Sequence, residues 1–377
     1  MSVWDGEARR AATPDATDDA SAQIDTVVVG GGQAGLAVGY DLARRAHDFV
    51  ILEAGDEPGV AWRNRWDSLR LFTPAGFSHL PGMRFPGPGA ALPSKDEMAD
   101  YLSAYAVRFG LPVELGVRVD AVRRVDDEFL ISAAGRRWRA RNVVAANGPY
   151  AVARIPEFAP ALDPTVTQLT AQSYRRPEQL PDGPALVVGA GNSGAEIALD
   201  LAPTRPVWLS GPDVLQVPRL GVAAYRLMRL LGRFGAKRAE ARLGGAGSPL
   251  GGVRVRDLTE AGIRRVPRTV WARDGLLLLA DQRTLDVVAV VWYAGPRPDY
   301  RWLDLPPADS TARPPQRDGI AESEPGLHFV GLPFQSTITS HLVGGVGHDA
   351  RRVVDHLTRR PAAERRLHAP ARSTRSY

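Results

Sequence analysis

The stretch Asp25-Thr26-Val27-Val28-Val29-Gly30-Gly31-Gly32-Gln33-Ala34-Gly35 decides how this chain folds. Its β-branched run reads as a buried strand, and the glycines behind it read as a tight turn. After the turn, Leu36, Tyr40 and Ala43 recur at helical spacing. Each glycine of Gly30-x-Gly32-x-x-Gly35 has a physical task. The first permits the turn, the second lets backbone approach a pyrophosphate, and the third lets the helix pack on the strand. The free N–H groups and the positive end of the helix dipole then face the phosphates. A second strand, Asp48 to Leu52, ends on Glu53, whose carboxylate can accept the ribose hydroxyls of an adenosine. Strand, turn, helix, strand and terminal acid in register point to dinucleotide binding.

The pattern returns further along. Ala185-Leu186-Val187-Val188 feeds Gly189-Ala190-Gly191-Asn192-Ser193-Gly194, and Ile197, Ala198 and Leu201 share the following helix face. The next strand, Pro206 to Leu209, ends on Ser210-Gly211-Pro212 with no acid in the place of Glu53. Without that carboxylate a 2′-phosphate is not repelled, which favours NADPH over NADH. Arg205 or Arg219 would have to reach the phosphate. Two such sites in one chain point to a flavin reduced by a nicotinamide: FAD at the first, NADPH at the second.

Composition narrows the classes. The chain has 377 residues, enough for two or three domains, and 44% are hydrophobic. There is no cysteine, so disulfide scaffolds, thiolate metal sites and dithiol redox chemistry are excluded. The net charge of +5 is dispersed, which argues against nucleic acid. The apolar runs Leu276 to Ala280 and Val287 to Val291 are too short to span a membrane. No metal site is expected, because His341, His348 and His356 lack a tight ligand constellation. These features predict a cytoplasmic protein.

Further strands are expected at Asn142 to Ala145, Val287 to Trp292 and Leu327 to Val330, and a helix over Lys95 to Phe109 capped by Ser94 and Glu97. Alternating strands and helices predict an α/β fold with parallel sheets. The basic amphipathic stretch Arg219 to Leu243 is read as a helix pair within the NADPH-binding half, with a lid over substrate as the alternative. Trp62, Trp66, Trp292 and Trp302 are read as packing residues. Glu196 is read as facing solvent or capping a neighbour.

The chain resembles the class B flavin-dependent monooxygenases, most closely their bacterial and plant YUCCA-like branch. The resemblance runs from about Ile24 to Leu357. It is carried by Gly59-Val60-Ala61-Trp62-Arg63-Asn64-Arg65-Trp66 through Thr73-Pro74, by Leu80-Pro81-Gly82-Met83, and by the stretch from Gly189 to Ala198. Arg297-Pro298-Asp299-Tyr300 and Gly331-Leu332-Pro333-Phe334-Gln335 carry it near the end. The resemblance implies two Rossmann-like dinucleotide-binding domains, the NAD(P)-binding one inserted into a discontinuous FAD-binding one. The expected FAD domain is 22–157 and 291–360, the NAD(P)H domain 158–290, with disordered tails at 1–21 and 361–377.

By the same resemblance Gly30, Gly32, Gln33, Ala34, Gly35 and Glu53 hold the adenosine half of FAD. Trp62, Arg63, Leu71 and Phe72 lie along the flavin or its NADPH side, and Gly331 and Leu332 approach the flavin by backbone. Gly189, Gly191, Asn192, Ser193, Gly194 and Ser210 hold NADPH. Thr73 and Gln335 are the candidates for a catalytic role. The helix after Gly344-Gly345-Val346-Gly347 aims its N-terminus at the isoalloxazine. In such enzymes NADPH reduces FAD and O₂ adds to give a C4a-(hydro)peroxyflavin. That species oxygenates nitrogen or sulfur, or attacks a carbonyl in Baeyer–Villiger fashion. The implied partners are a small organic substrate and O₂, with a homodimer left open. The alternatives are a flavin oxidase or dehydrogenase that does not oxygenate, or a non-enzymatic flavin-binding protein.

The sequence also departs from the family pattern. Leu169-Thr170-Ala171-Gln172-Ser173-Tyr174-Arg175 keeps the linker tyrosine but lacks the usual His-Ser pair. The two Ala-Thr-Gly crossings read Ala146-Asn147-Gly148 and Tyr293-Ala294-Gly295, the second followed by Pro296.

Overall fold

A computed structural model describes residues 21–148, 153–214, 216, 220–232, 251–293, 295, 299–305 and 315–359. Apart from Ser21, the tails expected at 1–21 and 361–377 lie outside the described residues, as do Ala294, Pro296, Arg297 and Pro298. The part of the basic stretch from 233 onward does too.

The first strand, β1 (Ala22–Val29), pairs in parallel with β2 (Phe49–Leu52), and β3 (Val113–Glu114) continues the sheet beyond β2. β4 (Val119–Val125), β5 (Glu128–Ala133) and β6 (Arg136–Ala145) form an antiparallel meander, and β6 returns to lie parallel beside β1. The first half of β6 alternates in burial, whereas Asn142 to Ala145 are buried throughout. That half is enclosed by strands on both sides, which is the environment that favours a continuous apolar run.

A second sheet follows. β7 (Thr167–Thr170), β8 (Ala185–Val188), β9 (Val207–Ser210), β10 (Arg264–Val266) and, after an antiparallel hairpin sheet β11 (Thr269–Arg273), β12 (Leu276–Leu279) and β13 (Thr284–Leu285), β14 (Ala289–Trp292) complete it. Its order is β10-β9-β8-β14-β7, and every pairing in it is parallel. The chain then rejoins the first sheet. β15 (Leu303–Asp304) pairs with β4, β16 (Gln316–Arg317) with β17 (Ile320–Ala321), and β18 (Leu327–Phe329) lies parallel to β6. Two Rossmann-like domains result, the second inserted into the first.

Helices cover both sheets. α1 (Gln33–Ala43) is buried from Ala34 to Leu42, and α2 (Val60–Arg63) is a single turn. α3 (Lys95–Arg108) starts with the expected capping box. Glu97 N–H donates to Ser94 Oγ at 3.2 Å, and Ser94 N–H donates to Glu97 Oε2 at 2.7 Å. α4 (Asn192–Leu201) and α5 (Val222–Leu231) belong to the second half. The last helix, Val343–Arg359, packs along α1, where Asp41 meets Arg45 at 3.6 Å and Arg351 at 3.8 Å. It starts before the glycines expected to precede it. A Cβ on Gly344 would meet Phe77 O at 1.9 Å, and one on Gly345 would meet Thr339 O at 1.9 Å. The glycines are therefore part of the helix, at the point where two loops press on its first turn.

Trp66 and Trp292 are buried, as a packing role requires. Among the described residues no helix is long and apolar enough to cross a membrane.

Candidate functional site

The two glycine turns repeat one construction. Gly30 has φ +109° and Gly189 φ +120°, backbone that L side chains rarely adopt. A Cβ on Gly30 would stand 2.7 Å from Ala146 O, and one on Gly189 would stand 1.9 Å from Tyr293 O. In each case the obstacle is the carbonyl just past the neighbouring parallel strand, β6 or β14. The third glycine closes on the first: a Cβ on Gly35 would lie 1.9 Å from Gly30 O, and one on Gly194 would lie 1.7 Å from Gly189 O.

Gly32 differs. A Cβ there would meet nothing within 4 Å, although the residues on either side are tightly packed. The first turn thus encloses a cradle at the start of α1, the space a diphosphate requires. Beside it, Glu53 accepts the Gly31 N–H at 2.5 Å and the Gly55 N–H at 2.8 Å. Two backbone donors fix the carboxylate at the end of β2, and its remaining lone pairs can accept ribose hydroxyls. The donor set fits the adenosine half of FAD.

The end of β18 closes the same groove. Gly331, at φ +93°, brings its backbone against Ala34, a Cβ there being 3.0 Å from Ala34 Cβ. Gln33 Nε2 donates to His341 O at 2.9 Å. The His341 side chain itself is exposed to solvent. Leu332 is buried beneath the loop, and Leu71 in the core beside α3.

Several candidates are committed elsewhere. Thr73 is buried and its hydroxyl bonds Ser78 Oγ at 2.7 Å, which holds the turn from 73 to 78. Gln335 is buried too. Its Oε1 accepts the Leu332 N–H at 3.2 Å and its Nε2 donates to Phe329 O at 2.8 Å. These hydrogen bonds hold the two loops in shape. Arg63 points into an acidic cluster, with Glu57 at 2.8 Å and Asp100 at 2.6 Å. These partners raise its pKa and occupy its fork. Ser210 is fully buried, donates to Pro267 O at 2.9 Å and accepts the Thr269 N–H at 2.9 Å, which ties β9 to the hairpin sheet.

On the second side, Asn192 Oδ1 accepts the Gly251 N–H at 2.8 Å, which fastens a glycine pair over the start of α4, beside Ser193. That pair also reaches the first domain: a Cβ on Gly252 would be 3.4 Å from Phe72 Cβ and 3.3 Å from Glu196 Oε1. Phe72 therefore lies at the seam between the domains. Trp62 is half-buried in α2, whose preceding residue Gly59 donates its N–H to Gly31 O at 3.1 Å. Glu196 does not face open solvent. It is half-buried at the seam, and burial raises its pKa to about 8.

One residue escaped the sequence reading. Arg265 on β10 donates to Pro212 O at 3.0 Å and lies 3.4 Å from Asp213, at the end of β9 where a 2′-phosphate would sit. Arg205 instead donates to Pro181 O and Pro177 O at the other end of the strand. Nothing in local spacing marks Arg265, because a distant strand delivers it. In the first crossing, Asn147 Nδ2 donates to Asp299 O at 3.0 Å, a few residues past the second crossing.

The linker contacts both halves despite its altered residues. Tyr174 is fully buried and donates to Asp200 Oδ2 at 2.6 Å, while Arg175 O accepts the Asp67 N–H at 2.8 Å. The helix α5 crosses the seam as well. Tyr225 stacks on Phe77 at 5.0 Å, and Arg229 Nη1 donates to Gly344 O at 3.1 Å. The reading of this stretch as a helix pair within the NADPH half is corrected: its first helix packs against the first domain.

Comparison with known proteins agrees with this architecture. Residues 27–206 match the pyridine nucleotide-disulphide oxidoreductase family. Disulphide chemistry itself is closed to a chain without cysteine. The CzcO-like oxidoreductase of Geobacillus kaustophilus is 37% identical over 350 residues, which cover 89% of this chain and 98% of that protein. The indole-3-pyruvate monooxygenase YUCCA1 of Oryza sativa is 35% identical over 186 residues, 46% of this chain and 44% of that one. The flavin-containing monooxygenase of Stenotrophomonas maltophilia has the same fold, with a TM-score of 0.74 and 28% identity over 89% of this chain and 98% of that chain. With its paired glycine turns and inserted second domain, this flavin-dependent oxidoreductase belongs to the class B flavin-dependent monooxygenase family.

Proposed function

We propose that the protein is an FAD-dependent, NADPH-reduced monooxygenase acting on a small organic substrate at nitrogen, at sulfur or at a carbonyl. One observation carries the reading: two glycine turns of the same construction, on separate sheets, are joined across a seam at Phe72 and Gly252. A nicotinamide held at one turn can there meet a flavin held at the other. FAD, when bound and reduced, supplies two electrons to O₂. One oxygen atom enters the substrate and the other leaves as water, so NADPH, a proton, O₂ and substrate give NADP⁺, water and oxygenated product.

The domain division proposed is 22–157 with 291–360 for FAD and 158–290 for NAD(P)H. Gly30, Gly32, Gln33, Ala34, Gly35 and Glu53 hold the adenosine half of FAD by backbone N–H groups and one carboxylate. Gly331 and Leu332 close over its flavin end, and the free N–H groups at the start of Val343–Arg359 receive an isoalloxazine carbonyl. Gly189, Gly191, Asn192, Ser193 and Gly194 receive the NADPH diphosphate, and Arg265 its 2′-phosphate. Phe72 and the α5 brace exclude water from the seam, which limits loss of the oxygenating equivalent as peroxide.

The test is anaerobic mixing of FAD-loaded protein with NADPH, followed at about 450 nm, then oxygen with a panel of amines, sulfides and ketones. Rapid bleaching, followed by oxygenated product in step with NADPH consumed, is expected. Bleaching that yields only hydrogen peroxide across the panel would mark an oxidase. No bleaching would mark a flavin-binding protein without this activity.

A further inference from the structure

Glu196 lies one turn behind Asn192 on α4, on the same helix face. Side chains on a helix lean toward its N-terminus, which brings the Glu196 carboxyl back toward the second glycine turn. Its Oε1 is also at the seam, 3.3 Å from the position a Gly252 Cβ would take, with Phe72 Cβ 3.4 Å from the same point. Among the described residues no hydrogen bond or ion pair engages this carboxyl.

Among the described residues, the surrounding elements bring no charge to it. β8 and β9, which pack on α4, carry no titratable residue along their length. The helix Val255–Glu260 also packs on α4, but its charges are paired among themselves: Arg254 with Asp257 at 2.8 Å and Arg256 with Glu260 at 3.3 Å. Arg265 is turned to Asp213, and Asp200 on α4 itself accepts from Tyr174. The first domain offers Phe72, which is apolar. Burial alone acts on Glu196 and keeps it largely protonated at pH 7, with a pKa of about 8.

We propose that Glu196 is a positioning residue for the nicotinamide half of NADPH. The inference rests on the NADPH assignment above. A dinucleotide anchored at the start of α4 has to pass Glu196 at this seam for its nicotinamide to reach the flavin. The neutral carboxyl presents an O–H donor to that half. Once ionised, the same group repels the diphosphate held at the start of its own helix.

The test is calorimetric titration of NADP⁺ into FAD-loaded protein between about pH 6.5 and 9.5, for the native chain and for Glu196→Gln and Glu196→Ala. The native Kd should rise roughly tenfold from pH 7 to pH 9. Glu196→Gln keeps a donor and cannot ionise, so its Kd should stay flat and near the native low-pH value. Glu196→Ala should be flat and weaker at low pH. It also serves as the second variant if Glu196→Gln fails to fold. A native Kd that does not change with pH, or the same rise in both variants, overturns the proposal for Glu196 while leaving NADPH binding intact. Absence of NADP⁺ binding at every pH, with FAD still bound, overturns the NADPH assignment and this inference with it.

Discussion

Asn192 Oδ1 accepts a hydrogen bond from the Gly251 N–H at 2.8 Å, which ties the loop over the second glycine turn to the helix that begins there. Asn192→Ala removes this tie and leaves the glycine pair beside Phe72 unanchored. The expected loss is about 1 kcal/mol of stability in denaturant unfolding, with NADP⁺ affinity reduced and FAD content unchanged. Equal loss of both nucleotides would contradict the assignment of this turn to the second site.

Gly32 and Gly35 separate binding from folding. A Cβ on Gly35 collides with Gly30 O at 1.9 Å, so Gly35→Ala should fail to yield soluble folded protein. A Cβ on Gly32 meets no protein atom, so Gly32→Ala should fold with native circular dichroism. It should carry substoichiometric FAD, because the methyl group fills space the diphosphate needs. Full FAD occupancy in Gly32→Ala would place the diphosphate elsewhere.

Arg265 stands at the end of β9, against Pro212 and Asp213. Arg265→Gln should raise KM for NADPH roughly tenfold, the size expected for losing one charge-assisted contact to a phosphate, and leave KM for NADH unchanged. Steady-state flavin reduction with both nucleotides measures the ratio. An equal change for both would assign Arg265 to the shape of the loop alone.

The raised pKa of Glu196 also bears on stability. The folded state keeps the proton up to about pH 8, whereas the unfolded chain releases it near 4.5, the ordinary value for a glutamate. Between these values the native state holds more protons, so this group's contribution falls as pH rises and then levels off. Relative to the native chain, Glu196→Gln should gain in Tm from pH 5 to pH 8 and gain no more above it. A constant Tm difference across that range would show that Glu196 titrates normally.

Much of this site could be read before the fold was known. The strand-turn-helix runs at Val27 to Gly35 and Val187 to Gly194, the acid at Glu53 and the capping box at Ser94 all depend on near neighbours in the chain. They were legible because the contacts that explain them, such as Gly35 against Gly30 O and Glu53 between the Gly31 and Gly55 N–H groups, link short stretches of one unit. The strands β4 and β5, the first half of β6 and the hairpin sheet β11–β13 are not marked in the sequence, since such short strands carry weak periodicity and gain their burial from pairing.

Residue type and local spacing determined by themselves that this chain builds two dinucleotide turns and cannot run dithiol chemistry. Only the tertiary structure decided which polar groups stay available. In sequence Thr73 and Gln335 are candidates for a catalytic role and Arg63 and Ser210 for cofactor contacts, yet each is bonded to a partner that folding brings within hydrogen-bond reach. Glu196 and Arg265 look ordinary, yet packing places them at the seam and at the end of β9. The reason is physical: a backbone turn is set by the sterics of a few consecutive residues, whereas the desolvation and pairing of a side chain depend on every segment that the fold lays against it.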